Sequence, residues 1–215
     1  MNEKIIQTQY DVTKKSRVRQ FYEAYKIYII SFVVVFFVLL ISYIFLTEIK
    51  ENKKTKLSNN YVSAKILLDK DKIEEAKNLL IENILANDNT YSPLSLFLVV
   101  DESLIGDKKE ISDLFEHVIE NCKFDKEMEN LILFKKALHD SSYIDENTLL
   151  ETLNPLIHKE TIWKHHALLL IGNYFREKNE NIKAREFYLQ IMGMKNLSNN
   201  IYEQARSQLL LLGNE

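Results

Sequence analysis

Glycine and proline are nearly absent from this chain: 4 Gly and 2 Pro in 215 residues. Turn-rich β architectures depend on both for their tight turns, so the scarcity argues against an all-β fold. A single cysteine, Cys122, excludes an internal disulfide and with it a stapled scaffold. The net charge of -3 argues against nucleic acid as a partner, because phosphate binding calls for clustered positive charge. No G-x-S-x-G, phosphate-binding loop or dinucleotide fingerprint occurs. What remains is rich in Leu, Ile, Lys, Glu and Ala, the composition of helices.

One long apolar run stands out, Ile27 to Thr47 (IYIISFVVVFFVLLISYIFLT), without a charge. A membrane-crossing helix needs roughly 20 such residues. Inside lipid its backbone groups must pair within the segment, which forces a helix. A cleaved signal has a shorter apolar region of roughly 7–15 residues and a small-x-small site. Here Leu46, Thr47, Glu48 and Ile49 close the run, so it reads as an uncleaved anchor. The expected organisation is a basic cytoplasmic segment over 1–26, a transmembrane helix over 27–47 and an external domain over 48–215. Lys14, Lys15, Arg17, Arg19 and Lys26 precede the run, and Lys50, Lys53, Lys54 and Lys56 follow it. That slight excess places the N-terminus in the cytoplasm under the positive-inside rule. Tyr25, Tyr28 and Tyr43 suit interfacial anchoring equally with plain helix filling.

The rest reads as short amphipathic helices. Asn59 to Leu68 is one, and a second starts at Asp71 with Ile73, Ala76, Leu79, Leu80 and Ile84 on one face. A third has Pro93 in its first turn and runs to about Leu104. Others follow over Ile111–Ile119, Met128–Leu138, Leu149–Leu156, Ile162–Arg176, Ile182–Met192 and Ile201–Leu212. These come in pairs, so a repeat is expected. Gly172, Phe175, Ala184 and Tyr188 have the small, aromatic, Ala and aromatic spacing of the tetratricopeptide repeat. Ala64, Leu67, Ala76 and Leu80 keep that spacing. Ile111 and about Thr148 fill the Ala position in two degenerate copies between them. The fold class is therefore all-α: an N-terminal transmembrane helix followed by a tetratricopeptide-repeat-like α-solenoid. Trp163, on one stripe with Ala167 and Leu170, reads as a packing residue, and Leu209 to Leu212 as the cap of the stack.

Chemistry is hard to nominate. His165 and His166 are adjacent and point about 100° apart, unlike a helical metal pair. His117, His139 and His158 have no ligand-spaced partner. Glu74–Glu75 and Glu127/Glu129 read as solvated helix faces, and Cys122 as a small residue near a helix end. No cofactor, metal or small-molecule substrate is implied, and the chain reads as non-enzymatic.

The lead Arg17-Val18-Arg19-Gln20-Phe21-Tyr22, then Tyr25 and Ile29-Ile30 entering the apolar run, begins a resemblance that covers nearly the whole chain. It includes the repeat around Ala64 and Ala76. It ends with Leu153-Asn154-Pro155-Leu156, Trp163, Ala167 and the Ala184 repeat. On these residues the chain resembles the ancillary SecYEG translocon subunit family. Between about Thr90 and Asp140 it departs, with Leu96, Phe97 and Leu98 in place of alanines. The resemblance implies a single-pass bacterial inner-membrane protein with a periplasmic domain. It also implies protein partners: Sec translocon subunits, periplasmic chaperones and nascent secreted chains. The alternative with the same fold is a scaffold in another envelope complex, for division or outer-membrane assembly, without translocon contact.

Overall fold

A computed structural model describes residues 17–195 and 197–213. The basic residues Lys14 and Lys15 lie outside the described residues. Among those described the chain is all-helical, with nine helices and no strand. They are α1 (Arg17–Leu68), α2 (Ile73–Leu85), α3 (Tyr91–Asp101), α4 (Lys108–Asn121), α5 (Lys126–Asp140), α6 (Glu146–Ile157), α7 (Lys164–Glu177), α8 (Asn181–Met192) and α9 (Asn199–Leu212). The chain divides into two compact units, one ending at Thr55 and one beginning at Lys56.

The helix expected at Asn59 is not separate from the apolar run, because α1 continues from Arg17 to Leu68 without a break. The stretch between Thr47 and Asn59, EIKENKKTKLS, has no Gly or Pro, and Glu and Lys are good helix formers. Nothing in it stops a helix that the apolar run has already nucleated. Within the unit ending at Thr55, the apolar stretch has a mean hydropathy of 3.0, and none of its residues is buried. At 1.5 Å per residue, its length suffices for a hydrocarbon core of about 30 Å.

From α2 to α9 each helix packs on the next in sequence, and α2 also meets α4, α5 meets α7, and α7 meets α9. Two apolar cores result, one from α1 to α5 and one from α5 to α9. Helix α5 feeds both, with Ile132 in the first and Ala137 in the second.

Caps explain most of the boundaries. Asp107, Asp125 and Asp145 start α4, α5 and α6 by accepting from the amides of Lys109 (2.8 Å), Met128 (2.8 Å) and Asn147 (2.9 Å). Ser198 does the same for α9. At Asp145 the hydrogen bonds from Thr148 hold the carboxyl below the usual carboxylate range. At the other ends no glycine takes the left-handed conformation; Asp71, Asn87, Ser103 and Asn179 do. After Asp71 the Lys72 amide reaches back to the Leu67 carbonyl (2.9 Å). After Asn179 the Glu180 amide reaches the Phe175 carbonyl (2.8 Å). Both are Schellman turns, and Ser103 makes a third through Leu104 and Val99 (3.0 Å). It ends α3 at Asp101, earlier than the expected Leu104.

A serine in this conformation carries a Cβ penalty that glycine lacks. Ser103→Gly is therefore expected to stabilise the fold by about 1 kcal/mol, raising the thermal midpoint by about 2–4 °C in detergent micelles.

Candidate functional site

The residues that carried the repeat are core, not surface. Ala64, Ala76, Ala167, Ala184 and Tyr188 are fully buried, and Gly172 and Phe175 nearly so. Gly172 lies under the Tyr188 ring: a Cβ there would stand 2.5 Å from Cε1. The Tyr188 hydroxyl donates to Asn173 Oδ1 (2.8 Å), and burial pushes its pKa up to about 12.

Ala76 and Ala184 are each the fourth residue of their helix. The fourth residue of α4 is the buried Ile111, and that of α6 is the buried Leu149. Thr148, expected in that place, is exposed, and its hydroxyl donates to the capping Asp145 (2.8 Å). The buried residue thus lies one position after the expected one, because a capping threonine and a core leucine are adjacent. In the preceding helices, the places matching Ala64 and Gly172 hold Val99 and Ala137, both fully buried.

Trp163 stands immediately before α7, without a capping hydrogen bond, and stacks on Phe134 of α5, with ring centroids 5.7 Å apart. His166 joins both rings, at 5.8 Å from Phe134 and 5.7 Å from Trp163. Similar links run along the odd-numbered helices. Tyr61 of α1 meets Tyr91 at the start of α3 (6.4 Å). Lys135 of α5 lies over the Phe97 ring of α3 (5.5 Å) and pairs with Asp101 (3.8 Å). Exposed Leu94 is one turn from Phe97, and exposed Leu138 one turn from Lys135. Phe97, Phe134 and Trp163 are only half-buried. Helices α1, α3, α5 and α7 are therefore joined in succession by a set of separate contacts between partly exposed side chains. Sequence reasoning missed it, because each member looks like an ordinary core residue of its own helix.

Sequence reasoning also missed Asp140, which is 2% exposed at the end of α5. Its carboxylate accepts from Ser112 of α4 (2.9 Å), Lys136 (2.8 Å), His139 Nδ1 (2.9 Å) and the Tyr143 hydroxyl (2.6 Å). An ionised carboxylate only accepts, so it imposes the Nδ1–H form on His139. Burial pushes the Asp140 pKa up, but the bonds from Lys136, Tyr143 and His139 outweigh it and hold the group below its usual range. Burial, with Asp140 beside it, pushes the Tyr143 hydroxyl up to about 12. This cluster fastens α4 to α5 and to the turn before α6.

The remaining candidates sit where helix faces would put them. Glu74, Glu75 and Glu129 pair with Lys77, Lys72 and Lys126 on exposed surfaces. Cys122 is buried at the end of α4, its thiol directed at the Asp88 carbonyl (3.8 Å). Leu209 and Leu212 pack inward while Leu210 and Leu211 face out, so the C-terminal leucines divide between core and surface. No family model, curated protein or solved structure matches this chain.

Burial, then the neighbouring His165, lowers the His166 pKa from 6.5. The unfolded chain therefore takes up this proton first as pH falls. Stability present above about pH 6.5 is expected to decline as pH drops through the lower folded value. Denaturant midpoints at about pH 7.5 and about pH 5.5 check this; the difference should shrink in His166→Gln.

Proposed function

We propose that this chain is a membrane-anchored, non-enzymatic protein-binding scaffold. The apolar part of α1 is its single span, and the helical pairs are a tetratricopeptide-repeat-like solenoid. The observation that carries the reading is a set of contacts joining successive odd-numbered helices, Tyr61 with Tyr91, Lys135 with Phe97, and Phe134 with Trp163. Stacked pairs of this kind present one face to an extended or helical partner segment. Half-buried aromatics beside exposed Leu94 and Leu138 fit an apolar polypeptide better than a polar small molecule. Tethering raises the local concentration of such a face near membrane partners, so weak contacts suffice.

The resemblance of the lead, the span and the Ala184 repeat makes the Sec translocon the proposed partner. The domain would face the periplasm and hold emerging chains or link them to chaperones. A photo-crosslinking residue at Phe32 or Phe36 is expected to capture translocon subunits in cells. Capture of division or outer-membrane assembly proteins with no translocon subunit would overturn that partner. Protease added to intact spheroplasts is expected to digest the tail; protection would place it in the cytoplasm. Leu94→Arg with Leu138→Arg, both at exposed positions, should keep the fold and abolish recovery of soluble partners.

A further inference from the structure

The core that joins the last turns of α1 to α2 and α3 is not wholly apolar. Asn83 of α2 and Ser95 of α3 are fully buried, and Asn60 of α1 is half-buried. Three of their side-chain atoms, Asn60 Nδ2, Asn83 Oδ1 and Ser95 Oγ, are shut off from solvent and have no hydrogen-bond partner among the described residues. Buried polar atoms are almost always hydrogen-bonded, because leaving one unpaired forfeits its hydration. Neighbouring bonds place the three close together. Asn83 Nδ2 donates to the Leu57 carbonyl of α1 (2.9 Å), and Ser92 of α3 donates to the Asn83 carbonyl (2.8 Å). Leu57, Asn83 and Ser92 thus mark one level across the three helices. Short turns join α1 to α2 and α2 to α3, so α1 and α3 run in the same direction. Asn60 lies three residues beyond Leu57, and Ser95 three beyond Ser92, so both stand about one turn above that level. At 1.5 Å per residue the step is about 4.5 Å, the span of one water bridging two polar atoms.

We propose that a single water molecule is bound in this core and joins α1, α2 and α3. It accepts from Asn60 Nδ2, donates to Asn83 Oδ1 and shares a third hydrogen bond with Ser95 Oγ, the usual complement of a buried water. Turning the Asn83 amide over does not remove the need, because its oxygen would then oppose the Leu57 carbonyl oxygen. Ser95 does not satisfy itself on the carbonyl one turn back, as helical serines often do. None of the three side chains carries a charge, so the cluster suits a small neutral ligand and not an ion. Bound there, the water completes the polar contacts that set which turn of α1 meets the α2–α3 pair.

The test uses the full chain, nitrogen-15 labelled, in detergent micelles. The Asn60 side-chain amide is expected to show a cross-peak to water whose nuclear and rotating-frame Overhauser effects have opposite signs, the mark of a long-held water rather than of surface hydration or proton exchange. A serine hydroxyl trading its proton with solvent gives the same signature, so Ser95→Ala is the control. There the water keeps two of its three bonds, and the cross-peak should persist at about half its intensity or more. Absence of the cross-peak in the parent chain would overturn the proposal. So would its complete loss in Ser95→Ala, which would trace the signal to the hydroxyl.

Discussion

Replacing Asp140 with alanine is expected to cost about 3 kcal/mol, the scale seen when one partner of a buried ion pair is removed. The carboxylate is the only group on which Ser112, Lys136, His139 and Tyr143 all converge. Without it Lys136, 14% exposed, keeps only Glu116 at 3.3 Å, and that glutamate is largely in water. Ser112 loses its bond across to α5, one of the polar ties between α4 and α5. Asp140→Asn keeps the shape but turns one acceptor into a donor facing other donors, so it should also destabilise. Glu116→Gln, at an exposed position, should change the denaturant midpoint by less than about 0.5 kcal/mol. The acid limb provides a second readout. The folded pKa lies below the ordinary 3.8, so the contribution is present above that value and lost as pH falls through the folded one. That limb should vanish in Asp140→Asn. A midpoint in Asp140→Ala equal to the parent's would show that the cluster contributes nothing to stability.

Asp140 was invisible in the sequence for a physical reason. An aspartate closing a helix, beside a histidine and two serines, has the pattern of a solvated helix end. Its burial depends on Ser112, which another helix supplies. The half-buried aromatics were hidden in the same way, since only packing shows which members of an apolar stripe stay partly open. Helices and their faces were far more legible, because periodicity and scarce breakers are local signals. The first and last pairs could be aligned because both keep a small residue opposite a larger one, and both turn through the same left-handed Schellman step at Asp71 and Asn179. The second pair makes the same step at Ser103, but both middle pairs begin their second helices on the caps Asp107 and Asp145. There Val99, Ile111 and Leu149 fill the places that alanine or glycine fill elsewhere. Larger side chains set wider helix spacings, and the small-residue signal disappears.

Gly172→Ala is expected to destabilise the chain even though alanine is the better helix former. Alanine gains about 1 kcal/mol over glycine in a helix interior. The added methyl would stand 2.5 Å from Tyr188 Cε1 and 2.9 Å from Cδ1, inside any real carbon contact. The ring cannot swing clear: Tyr188 is fully buried and its hydroxyl is held by Asn173. Either the ring leaves its rotamer or α7 and α8 separate, and overpacking of this kind costs about 1–3 kcal/mol. Gly172→Leu, with three more carbons, should prevent the α7–α8 pair from forming. The first pair shows the way back. Its matching places hold Ala64 and Leu80, both fully buried, so a methyl on one helix is accepted where the opposite residue is shorter. Gly172→Ala combined with Tyr188→Leu installs that combination in the last pair. Tyr188→Leu alone leaves a void and should cost about 2–4 kcal/mol. The double variant should be more stable than the sum of the two single effects allows, by about 1 kcal/mol or more. Additive effects in that cycle, or a stabilised Gly172→Ala, would mean that the two helices do not meet at Gly172 and Tyr188. The small-residue spacing from which a repeat is expected here would then have another origin.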